Sequence, residues 1–243
     1  MRRNYVGRSL CLLAAFMMIF YFGNYSRTIS FGREVIAYPS DGLLNRLTVV
    51  VDAGHGGSDP GKVGVHNEEE KKINLAIAEK LKRNLEHQGI RVVMTRKDDN
   101  GLYSAGAPNK KREDMNRRIE IINGSGAVLA VSIHQNSFTD SKYKGAQVFY
   151  YETSEDAKAM AELLQKSLIQ NADGTNTRQA KANDSYYLLK KSEIPAVIIE
   201  CGFLSNGEEA LKLSEDSYQE KLAWAVHLGI MQYINEYVKA PEK

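Results

Sequence analysis

The chain has 243 residues, 43% of them hydrophobic and 26% charged, enough for one α/β domain with a full core and a small appendage. Residues 1–30 hold four arginines and no acid, so the remaining chain carries 28 basic against 30 acidic residues and is net −2 despite the formal +2 of the whole. A body of that charge, without clustered Lys and Arg, argues against a nucleic-acid-binding surface, and two cysteines with no CxxC spacing exclude a Cys-rich structural zinc site.

In chain order, Arg2, Arg3 and Arg8 precede an apolar run from Leu10 to Phe22, the charged-then-apolar order of an export segment. The run is shorter than the roughly 18 residues of a confident membrane span. No A-x-A-like site follows it, so a cleaved signal and an uncleaved membrane anchor both stay open over residues 1–30. Either places the rest of the chain outside the cytoplasmic membrane. A connector over 31–45 and a single domain over 46–240 complete the expected organisation.

Residues 47–52 (LTVVVD) are β-branched and bounded by Gly54, Gly56 and Gly57, which predicts a buried strand delivering His55 to a loop. Residues 67–88 carry Ile73, Ile77, Leu81 and Leu85 at helical spacing and stop at Gly89. A strand over 90–95 leads to a polar stretch, 97–111, too long for a routine connection; it either borders a site or moves. A helix through Asn123 follows, then a strand over 127–133 (AVLAVSI) ending on His134. Residues 145–151 predict a strand and 154–171 a helix. Two more strands are predicted over 185–190 and 195–200, the second ending on Glu200, and 215–238 predicts a closing helix. Strands alternating with helices predict an α/β fold, a mostly parallel twisted sheet with helices on both faces and chemistry at the strand carboxyl ends.

Three apolar strands thus end on groups able to bind or assist a metal. A catalytic zinc needs about three protein ligands and an open position for water. His55 and His134 supply imidazoles at strand ends, and the carboxylate comes from Glu68, Glu69 or Glu70, among which spacing does not choose. His66 is a rival ligand from the loop, while His87 and His227 fall within helices as surface or packing residues. Glu200 ends the run PAVIIE, where an unpartnered carboxylate is costly, so it needs a salt bridge, a place as fourth ligand, or a role as general base. Asn136 and Asn206, beside two strand ends, are candidates for orienting substrate amides, or else cap loops and turns. Cys201 reads as a small buried filler.

The set VDAGHGGSDPG, EKKINLAIA, SIHQNS and PAVIIECGFLSN, in that order, resembles the zinc-dependent N-acetylmuramoyl-L-alanine amidases that cut peptidoglycan, the amidase-3 group, over residues 47 to about 237. The resemblance implies His55, Glu70 and His134 as ligands of Zn²⁺ and Glu200 as the catalytic acid/base. It implies hydrolysis of the amide between the lactyl group of N-acetylmuramic acid and the L-alanine of the stem peptide. Where the family has small residues in S-I-H-A-N-A, this chain has Gln135 and Ser137, a departure expected on the substrate-facing rim. The lean plan is similar to the germination-specific amidases of the spore cortex, whose action precedes muramic-δ-lactam formation. That similarity implies a peptidoglycan substrate and a forespore intermembrane location, and the lean architecture itself, read without a targeting domain, raises the expectation of an activating protein partner that aids zinc loading or substrate access. The competing roles are a vegetative autolysin, a zinc peptidase, and a non-catalytic wall-binding protein that keeps the fold.

Overall fold

The structure, a computed structural model, describes residues 41–238. The export segment expected over 1–30 lies outside the described residues. Among those described, no helix is long and apolar enough to cross a membrane.

Six strands form one sheet: β1 (Thr48–Ala53), β2 (Arg91–Met94), β3 (Leu129–Asn136), β4 (Gln147–Tyr151), β5 (Lys181–Asn183) and β6 (Ala196–Phe203). Their order is β2-β1-β3-β6-β4-β5. The first four in that order run parallel; β4 runs antiparallel to β6 and parallel to β5. All residues of β1 and β6 are buried, as the continuous apolar composition of doubly covered strands requires.

Among the described residues, seven helices connect and cover the sheet: α1 (Asp41–Leu44), α2 (Glu70–His87), α3 (Lys110–Gly124), α4 (Glu155–Asn171), α5 (Tyr187–Lys191), α6 (Gly207–Ser214) and α7 (Asp216–Tyr237). The one-turn α1 falls within the expected connector and buries Leu44. Helix α7 packs against both α2 and α4 over one face, where Ile73, Ile77, Leu81 and Leu85 of α2 meet Val49, Val51 and Val131. The other face is smaller: Ile122, Leu188 and Leu189 cover Val50, Ala130 and Ile198. Asn109, Ser154 and Asn206 cap α3, α4 and α6, each accepting a hydrogen bond from the backbone N–H three residues on.

Two elements differ from expectation. Residues 185–190 do not form a strand: the third strand of that region is the short β5, and Tyr187–Lys191 are α5. The apolar run YYLL is short enough to fit either period. Its two leucines are buried side by side against the second face, while Tyr187 is exposed. The helix α6 lies in the stretch between residues 200 and 215 for which the sequence predicts no element, started by the Asn206 cap with Glu209 three residues on.

Candidate metal and catalytic site

The parallel register decides which strand ends meet. Ala53 pairs with Ile133 and His134 with Glu200, so the chain leaving β1, the end of β3 and the end of β6 open into one cleft. Gly54 is required there, because a Cβ at this position would occupy the ring of His134. Gly61 is required for a similar reason, since its Cβ would strike Glu70 and His55, and its φ of +70° also favours glycine.

His55 itself has φ +62°, a left-handed conformation that costs a non-glycine residue about 1–2 kcal/mol and must be held by its surroundings. Two buried arginines hold it. Arg118, reaching over from α3, donates to the carbonyls of Ala53 (2.7 Å) and His55 (2.6 Å) and to Asp52 and Asp114 (2.5 and 2.6 Å). Arg96 donates to the carbonyls of Ala53, Gly54 and Lys71 at 2.9, 3.0 and 2.7 Å. Asp52 also accepts from Thr95 and Ser132, and although burial works to raise its pKa, Arg118 and these hydroxyls bring it down to about 2.

One nitrogen of each of His55 and His134 and one oxygen of Glu70 lie within 4.8 Å of one another. Glu70 Oε1 is 3.2 Å from His55 Nε2 and 3.0 Å from His134 Nδ1. The Nδ1 of His55 is occupied by Asp59 at 2.9 Å, which leaves Nε2 turned to the cluster, the usual carboxylate support of a metal-binding imidazole. Two imidazoles and a carboxylate, preassembled and without a thiolate, fit a zinc ion with an open position. Burial works against ionising Glu70, but the two histidines outweigh it and hold the carboxyl well below its usual range. For His55, burial lowers the pKa while Glu70 and Asp59 raise it, and the net shift is upward.

The alternatives left open by spacing fall away here. Glu68 accepts from the His66 backbone N–H, Glu69 pairs with Lys72, and only Glu70 turns inward, 2% exposed. His66 is exposed, with Nε2 at the Gly207 carbonyl, and stands outside the cluster. His87 is exposed and His227 fully buried.

Glu200 is 8% exposed, and its Oε2 has no hydrogen-bond partner. Burial, reinforced by the facing charge of Glu70 and opposed by His134 and His55, pushes its carboxyl up to about 7. It has no Lys or Arg partner among the described residues, which removes the salt-bridge reading. Together with Asp52, His55, Asp59 and His134 it lines a cavity of about 350 Å³. Tyr103, Lys110, Lys111, Tyr186 and Tyr187 form the outer walls, none of them singled out by sequence. The polar stretch 97–111 does border the site: Tyr103 accepts from the Ser58 N–H at 2.6 Å and Lys71 donates to Asp99 at 2.7 Å.

Asn136 and Asn206 stand outside this lining. Asn136 accepts from the adjacent Ser137 N–H, while Asn206 caps α6 and donates to the Ser141 carbonyl. Gln135 is not on a substrate-facing rim either; it is buried beneath the cluster, 3% exposed. Cys201 is fully buried, and burial pushes its thiol far up.

Residues 49–232 match the family described as N-acetylmuramoyl-L-alanine amidase, Amidase_3. The chain belongs to this family. It is 38% identical over 202 residues to the germination-specific N-acetylmuramoyl-L-alanine amidase of Bacillus subtilis (strain 168), covering 82% of this chain and 84% of that one. It also resembles the structure of the CwlD amidase from Clostridioides difficile in complex with the GerS lipoprotein, at 45% identity and a TM-score of 0.76 over 78% of this chain and 98% of that one. A second solved structure, an N-acetylmuramoyl-L-alanine amidase from Clostridium difficile 630, is 32% identical with a TM-score of 0.71 and covers 79% of this chain and 99% of its own. The activity is accordingly that of an N-acetylmuramoyl-L-alanine amidase.

Proposed function

We propose that this chain is a zinc amidase of the spore cortex, with His55, Glu70 and His134 as metal ligands and Glu200 as acid/base. The observation that carries the catalytic reading is Glu200: a buried carboxylate with one oxygen unpartnered, in register with His134 at the cavity floor. Zinc, when bound, supplies Lewis-acid polarisation of the scissile carbonyl and acidifies water. The residues do the rest. Glu200, buried beside the cluster with one oxygen unpartnered, is placed to take a proton from water and return it to the leaving L-alanine amine. Asp59 keeps His55 in the tautomer that leaves Nε2 free, and Arg118 and Arg96 keep its loop from relaxing.

The cortex role is supported by the similarity to the germination-specific amidase, and a lipoprotein partner by the likeness to an amidase solved with one. Relatives described as cell wall amidases support action outside the cytoplasmic membrane. That location agrees with the charged-then-apolar order of residues 1–30 read as an export signal or anchor.

Mass spectrometry of purified peptidoglycan treated with the protein tests the reading. Free stem peptides beginning with L-alanine, lost with chelator and with Glu200→Gln, are expected; release of internal stem fragments instead would make the enzyme a peptidase. The cortex role predicts that spores of a host lacking this protein contain no muramic-δ-lactam, and its persistence would reassign the enzyme to vegetative wall turnover.

A further inference from the structure

Beneath the metal cluster lies a chain of three side chains from two elements. Gln135 Nε2, on β3, donates to Asn74 Oδ1 at 3.1 Å. Asn74, 0% exposed on α2, spends both amide protons on the site: one contact is to Glu70 Oε1 at 3.3 Å, the other to the Gly54 carbonyl at 3.2 Å. The backbone N–H of Gln135 reaches the same Glu70 oxygen at 3.0 Å, and the Lys62 N–H holds Oε2 at 2.7 Å.

A buried amide can turn over, exchanging its oxygen and nitrogen, unless its neighbours forbid it. For Asn74 the turned-over form would set its oxygen against the Gly54 carbonyl and the Glu70 carboxylate, two repulsive contacts that would push Glu70 out of place. With both amide protons so committed, the Asn74 oxygen faces β3, where Gln135 Nε2 ties it down and fixes the position of the amide between α2 and the strand. Gln135 carries a cost for this: its own Oε1 is buried without a partner. An apolar side chain of similar size would avoid that penalty, so the amide is explained by its donor end.

We propose that Gln135 is a positioning residue for the metal ligand Glu70, acting through the Asn74 amide to preset the carboxylate and the Gly54 carbonyl beside His55. It touches neither substrate nor metal with its side chain. This inference rests on the zinc reading of the cluster. It also gives a function to the position at which this chain departs from the small residue of the family pattern.

The test is zinc affinity of the full chain, read by competition with a chromogenic chelator, for the parent, Gln135→Leu, Asn74→Ala and the double variant, with urea unfolding of each metal-free protein alongside. Gln135→Leu is expected to weaken zinc binding about 10- to 100-fold, the range for lost outer support of a metal site, while the metal-free protein still unfolds in one cooperative transition. In the Asn74→Ala background the same substitution is expected to change affinity less than twofold. Gln135→Met repeats the measurement should leucine pack badly. Unchanged affinity in folded Gln135→Leu and Gln135→Met, or an equal loss with and without Asn74, would overturn the proposal. A parent that binds no zinc would instead overturn the zinc reading beneath it.

Discussion

Asp52 and Glu70, on the β1 and α2 side of the cleft, are buried carboxylates whose four oxygens all meet donors. Glu200, on β6 two strands across the sheet from β1, is also buried but has one oxygen that meets none. The first pair is held ionised at a pKa far below neutrality and the second is raised to about 7. Buried carboxylates of one chemical type are thus set to opposite tasks by their donors: the satisfied ones build and orient a rigid ligand loop, and the unsatisfied one remains available to exchange a proton.

The harshest way to break the satisfied side is Arg118→Met. It leaves Asp52 buried without its cation and uncaps the carbonyls of Ala53 and His55. A loss of about 3–5 kcal/mol is expected in urea unfolding; a loss under about 1 kcal/mol would mean that Arg96 alone suffices.

Glu200→Gln probes the opposite side and should act in the opposite direction. Because the folded carboxyl has a pKa near 7 against an ordinary 4.5, it favours the fold while protonated. That contribution is fully present below about pH 4.5 and is lost as pH rises through about 7. Metal-free Glu200→Gln should therefore match the parent near pH 4.5 and exceed it by up to about 3 kcal/mol at pH 8, while turnover falls about 10²- to 10⁴-fold. Parallel stability profiles for the two proteins from pH 5 to pH 8 would contradict the raised pKa.

Smaller changes sharpen the contrast. Asp59→Ala removes the acceptor behind His55 and should weaken zinc binding about 10- to 100-fold in chelator competition without lowering the metal-free unfolding midpoint by more than a few degrees. The smallest effect is expected at Asn206→Ala, which loses the α6 cap at a cost of about 1 kcal/mol and leaves KM for peptidoglycan unchanged. A raised KM in that variant would restore Asn206 as a substrate contact.

How much of this was legible in the sequence follows from how local each signal is. The strands that deliver His55, His134 and Glu200 could be read from their continuous apolar runs, but not their ends: β3 runs on to Asn136 and β6 to Phe203, past the ends expected at residues 133 and 200. Among Glu68, Glu69 and Glu70 nothing local discriminates; the choice is made by the turn through Gly61 and by the Gln135 N–H, 65 residues away. Arg118 was invisible for a similar reason. It stands in the run KREDMNRR among arginines of the same type, and only the docking of α3 separates it from the exposed Arg117 and Arg112. Gln135 pointed the wrong way by its neighbours: it follows a ligand on a strand, and alternation alone does not say which face is solvent when both faces are covered. The cap Asn206 with Glu209 was the legible signal for α6, and it stood in plain view.

The strand order has a consequence for how the molecule comes into being. The last strand made, β6, is not an edge; it is inserted between β3 and β4. Residues 48–136 hold β1, β2, β3 and all three candidate ligands, residues 147–183 hold β4 and β5, and without residues 196–203 the facing edges of β3 and β4 have no strand between them. Such edges invite pairing with other chains, and closure across so long a separation is slow. Chains that emerge or refold in order are therefore expected to pass through an interval in which the metal-binding half is assembled before the residue that acts on the substrate has joined it.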